Sequence, residues 1–160
     1  MSRVVDVATE GVRVPLSRAR VAEIASRVLR AERVPAAMLS ISFVTTRSIA
    51  ALNRRHLGRS GSTDVISFGF ARPRAGDPVI GDVYIAPAVA RRNALQHGVT
   101  VREELMRLIV HGVLHALGYD HPEGTARTRS PMWHRQEKLL RQLMLRHHRS
   151  GERKRQARAA

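Results

Sequence analysis

His111-Gly112-Val113-Leu114-His115-Ala116-Leu117-Gly118-Tyr119-Asp120-His121 decides how the rest of the chain is read. His111 and His115 are four apart, which stacks them on one face of a helix. The apolar run from Leu105 through Leu117 is long enough to be that helix. Thr100 and Glu103 form a capping box at its start, and Gly118 closes it. The chain then reverses through Tyr119-Asp120, and Pro122 holds His121 extended. An i,i+4 histidine pair alone is often two surface residues. A third histidine just past the helix stop makes His111, His115 and His121 a three-imidazole metal site, with a coordination position left for water. Three imidazoles suit Ni2+ or copper as well as Zn2+, so the spacing leaves the ion open. The peptidase signature H-E-x-x-H needs a glutamate where this chain has Gly112, which disfavours peptidase chemistry relative to other metal-assisted hydrolysis.

These residues resemble the H-G-x-L-H-x-x-G-Y-D-H signature of the YbeY family of bacterial rRNA-maturation endoribonucleases. Leu52-Asn53, Ser62-Thr63-Asp64-Val65-Ile66-Ser67-Phe68, Gly81-Asp82-Val83-Tyr84-Ile85 and the Glu104–Leu108 approach resemble further family segments in the same order. The similarity runs over roughly residues 1 to 147. It implies a zinc-type ion on His111, His115 and His121. It also implies single-strand-specific endoribonuclease activity in 16S rRNA 3′-end maturation and ribosome quality control, with ribosomal particles as partners. Two positions depart from the family pattern. Ser62 stands where the family has proline, and Leu57 stands where it has an arginine assigned to catalysis or RNA binding. Arg59, two positions on, is the first candidate to replace that arginine, and Arg55, two before, is the second.

The charge agrees with an RNA partner. The chain has 160 residues and a formal net charge of +15, almost all of the positive side chains being arginine. Such an excess favours a polyanion through phosphate neutralisation and counterion release. A GC-rich genome would also trade lysine for arginine, so the excess carries more weight than the residue type. Aromatic residues are too few for a base-stacking platform. There is no cysteine, which excludes disulfide-linked partners and thiolate metal sites. No apolar run approaches membrane-spanning length, and the N-terminus has no signal core. A cytoplasmic protein is expected.

The chain reads as an α/β fold of the α+β type. One domain over 1–148 is expected, with a small, mostly four-stranded mixed sheet, about five helices and the metal site at a helix end. Strands are expected over Arg3–Val7, Met38–Val44, Asp64–Phe70 and Val79–Ile85. Helices are expected over Ser17–Arg33, Thr46–Leu57, from Pro87 to the glycine at 98, through the histidine motif, and from Ser130-Pro131 to about His147. His147 and His148 belong to a basic helix end, where cations complement the helix dipole. Residues 149–160 are strongly basic without apolar periodicity, and are expected to form a disordered tail suited to tethering RNA or ribosomes.

Four polar residues join the histidines as candidates. Asp82, in an otherwise apolar strand, is placed to orient a histidine or a water at the metal, or else to face solvent at a strand edge. Asp120 suits a hydrogen-bond acceptor for a ligand ring, or a turn-stabilising role. Thr63 and Ser67 bracket Asp64 and offer cleft hydroxyls. The reading that follows is metal-assisted RNA phosphodiester cleavage, with Arg59 balancing charge on the phosphate. Two alternatives stay open: a noncatalytic ribosome-assembly factor with a structural metal, and a metal hydrolase of a non-RNA substrate.

Overall fold

The computed structural model describes residues 2–159; the side chains of His147 and His148, and with them their expected dipole role, lie outside the described residues. Two compact units are present, Met1–Asp120 and His121–Ala160.

The first unit contains β1 (Arg3–Thr9), α1 (Arg18–Ala31), β2 (Ala37–Phe43), α2 (Thr46–Leu57), β3 (Val65–Phe70), β4 (Val79–Ile85), α3 (Pro87–His97) and α4 (Val101–Ala116). Its four strands form a mixed sheet in the order β1-β2-β4-β3. β1 and β4 pair parallel to β2, and β3 runs antiparallel to β4. This is the α/β class expected from the sequence, with the expected strands and helices displaced by only a few residues at their ends.

Alternation along the strands decides what each sheet face does. Leu39, Ile41 and Phe43 of β2 and Val79, Val83 and Ile85 of β4 are buried, as period-2 patterning requires. α1 buries Val21, Ile24, Ala25, Val28 and Leu29, which a 3.6-residue period puts on one helix face. α4 packs on β3 and β4 and is flanked by α1 and α3. On the other face, Ile49 and Leu52 of α2 pack with Ile66, Phe68 and Tyr84. Phe70 shares the Ile66 face but is exposed.

α4 approaches the sheet closely because small residues meet there. A Cβ added at Gly112 would lie 2.5 Å from Val83 Cγ1 and 3.2 Å from Ser67 Oγ. A Cβ at Gly69 would lie 2.7 Å from the Ala116 carbonyl oxygen. Both are closer than real carbon contacts allow, so glycine at each position sets the helix–sheet spacing.

The second unit contains a 3-10 helix (Gly124–Arg129), which was not expected, and α5 (Pro131–Ala159). Ser130 caps α5 by accepting from the Trp133 backbone N–H at 3.2 Å, and the Arg127 guanidinium lies 5.7 Å from the centroid of the Trp133 ring. Leu139, Leu140 and Leu143 are buried. α5 continues to Ala159, well past the end expected near His147, and the expected irregular tail is helical over 149–159. Its arginines, lysine, glutamine and alanines are good helix formers, and no proline follows Pro131.

Candidate metal centre

The centre begins with the end of α4. Thr100 Oγ1 accepts from the Glu103 backbone N–H at 3.1 Å, starting the helix where the capping pattern places it. At the other end Gly118 has φ +100°, a value glycine adopts without strain. Its N–H donates to the His115 carbonyl and the Tyr119 N–H donates to the Leu114 carbonyl. Those two bonds are the Schellman pair, which satisfies the last helical carbonyls while reversing the chain.

That reversal brings His111, His115 and His121 into one group. One ring nitrogen of each lies within 4.8 Å of the others, an arrangement that could hold a metal ion. The His111 and His115 rings meet edge to face, their centroids 4.6 Å apart. His111 is buried, and the other two are half-buried.

The main chain sets two of the ring orientations. His115 Nδ1 lies 2.9 Å from the Tyr119 carbonyl oxygen, and His121 Nδ1 lies 2.9 Å from the Pro122 carbonyl oxygen. A carbonyl only accepts, so each Nδ1 carries the proton and each Nε2 offers a lone pair, the form a metal ligand needs. The donor set therefore fits a divalent ion of the zinc type. Tyr119 is held in turn by its hydroxyl, which donates to Glu32 Oε2 at 2.6 Å.

The remaining sequence candidates separate. Ser67 is drawn to the histidine helix: its Oγ donates to the Gly112 carbonyl at 3.0 Å, one residue past His111. Asp120 is exposed in the turn, and the Nδ1 partner of His115 is the Tyr119 carbonyl beside it. Thr63 Oγ1 reaches Asp64 Oδ1 at 3.4 Å, while Asp64 Oδ2 accepts from Asn93 Nδ2 at 3.1 Å. Arg59 is exposed just past the end of α2. Buried Asn53 organises that loop, donating from Nδ2 to the Gly61 carbonyl and accepting at its own carbonyl from the Arg59 N–H.

Asp82 does not orient a histidine. It alternates with Gly81 and Val83, the β4 residues that meet α4, and so belongs to the opposite sheet face. There its Oδ1 accepts from Ser40 Oγ at 2.7 Å. Burial, and then the charges of Asp82 and Glu10, push the neighbouring Tyr84 hydroxyl above its usual pKa.

Sequence reading missed the two Nδ1 acceptors, Tyr119 and Pro122. Both act through backbone carbonyls, which have no residue-type signature; the turn at Gly118 was the available clue.

The family model for Endoribonuclease YbeY matches residues 6–144. The chain belongs to the YbeY endoribonuclease family. It is 41% identical to the Endoribonuclease YbeY of Thermobifida fusca over 127 residues, covering 74% of this chain and 81% of that relative. It is 39% identical to the Frankia alni protein of the same name over 145 residues, covering 84% of this chain and 79% of the relative. Among solved structures, a Thermotoga maritima protein determined in solution shares the fold, with a TM-score of 0.60 at 20% identity over 92% of this chain and 93% of that one. The YbeY match contains the whole histidine group and ends inside α5.

Proposed function

We propose that this chain is a metal-dependent endoribonuclease of rRNA maturation that cuts single-stranded RNA near the 16S 3′ end and serves ribosome quality control. The observation that carries this reading is the convergence of His111, His115 and His121, with two Nδ1 atoms tied to carbonyls, in a chain of the YbeY family. The three histidines are the ligands of one Zn2+-type ion, the domain spans 1–148, and the protein works in the cytoplasm on RNA and ribosomal particles. No described helix is long and apolar enough to cross a membrane.

A bound divalent ion supplies positive charge to polarise a phosphoryl oxygen and to lower the pKa of a water toward ~7. The chain's own residues do the rest. Two backbone carbonyls keep Nε2 of His115 and His121 available, and Ser67 holds the carbonyl next to His111. Arg59, placed by the Asn53-organised loop, offers a guanidinium for the phosphate.

Chelation tests the function directly. Stripping divalent metal from purified protein should abolish cleavage of single-stranded RNA, and adding Zn2+ should restore it. Cleavage that persists unchanged in the stripped protein would sink the reading. Cyclic 2′,3′-phosphate ends on the product would identify the ribose 2′-hydroxyl as nucleophile and reject direct attack by water. For the arginine, Arg59→Ala should lower kcat by about 10², the usual loss for one transition-state charge partner, while Arg55→Ala changes it little. Equal rates for wild type and Arg59→Ala would remove Arg59 from catalysis.

A further inference from the structure

The family match ends at residue 144, yet α5 runs on to Ala159. Residues 145–160 hold five arginines and one lysine against the single acid Glu152, a third of the chain's net charge. At 100° per residue, Lys138, Gln142, Arg146, Arg149 and Arg153 fall on one stripe of the helix, spaced by 4, 4, 3 and 4. All five are exposed, and the stripe is roughly 22 Å long.

Nothing apolar larger than alanine follows Leu145. The extension therefore lacks the apolar face that a membrane surface or a partner helix would bury. It also carries internal repulsion: Arg146 with Arg149, Arg149 with Arg153, and Lys154 with Arg158 are like charges at i,i+3 or i,i+4. Ser150 and Gly151 interrupt the run of good helix formers. A polyanion laid along the stripe would relieve the repulsion among Arg146, Arg149 and Arg153, and an arginine fork suits phosphate oxygens.

We propose that the α5 extension is a second RNA-binding surface, gripping the phosphate backbone of single-stranded RNA through Arg146, Arg149 and Arg153 without reading its sequence. The inference rests on the reading of this chain as an RNA-cleaving enzyme and adds a substrate-holding element outside the histidine group.

The test compares two triple variants of the full chain that lose the same charge. One is Arg146→Gln with Arg149→Gln and Arg153→Gln; the other is Lys154→Gln with Arg155→Gln and Arg158→Gln, on the opposite side of the helix. Binding of a fluorescent 20-nucleotide single-stranded RNA is followed by anisotropy in chelator across a salt series, and cleavage of the same RNA is measured with Zn2+. The stripe variant should lose about 2 from the slope of log affinity against log salt, near 0.7 per phosphate contact. The opposite-side variant should lose less than half as much, and cleavage at saturating RNA should stay within twofold of wild type for both. Equal losses in the two variants, or an unchanged slope in the stripe variant, would overturn this surface while leaving the enzyme reading intact. A wild-type chain that neither binds nor cuts RNA would overturn both.

Discussion

Replacing His115 with alanine is expected to lower the metal content from about one ion per chain toward zero and to cut RNA cleavage by about 10³. The magnitude follows from the several kcal/mol that a catalytic ion contributes to charge stabilisation, at 1.36 kcal/mol per tenfold in rate. Folding should survive. His115 is half-buried in the last turn of α4, alanine is a strong helix former, and the hydrogen bond lost to the Tyr119 carbonyl is worth about 1 kcal/mol. The three readouts separate the readings left open by the sequence. A folded, metal-poor and inactive variant supports a catalytic ion. A variant that unfolds along with losing metal points to a structural one. Cleavage at the wild-type rate by a rigorously purified variant would exclude the ion from the chemistry.

Gly112→Ala is expected to destabilise the protein by about 1–3 kcal/mol, the usual cost of forcing a carbon into a filled core. The methyl group would meet Val83 Cγ1 at 2.5 Å, and Val83 is fully buried and β-branched, so it has no easy rotamer to retreat into. Gly112→Glu should be worse, because it adds an ionisable group with no partner in the same place. Its expected outcome is loss of soluble folded protein. Urea denaturation of the alanine variant is the measurement, and a midpoint equal to that of wild type would refute the close-approach argument. The peptidase glutamate is thus excluded by space, since the position beside the first histidine faces the sheet.

Local features of the fold were legible in the sequence. The buried stripe of α1, the alternation in β2, the Thr100 cap and the Gly118 stop each follow from a short-range rule, and each is where that rule puts it. Strand order was not legible: β4 sits between β3 and β2, and its parallel pairing with β2 joins Ala37 to Val79, far apart in the chain. The same gap explains Asp82. Its alternation with Gly81 and Val83 was readable, but the face α4 covers depends on the long-range packing at Gly69 and Gly112. The length of α5 escaped because a charge run without apolar period looks like solvated coil, whereas its residues individually favour helix. The histidine group was legible from spacing alone, while the carbonyls that orient it were not.

Those carbonyls have a consequence for how the centre tolerates change. An orienting carboxylate is lost with a single codon, but a peptide oxygen stays whatever side chain is attached to it. Positions 119 and 122 can therefore drift chemically and still aim His115 and His121, as long as the path of the turn persists. The vulnerability moves to the backbone dihedrals at Gly118, whose φ of +100° a side-chain-bearing residue rarely adopts. One residue with no functional group of its own thereby governs the aim of His115.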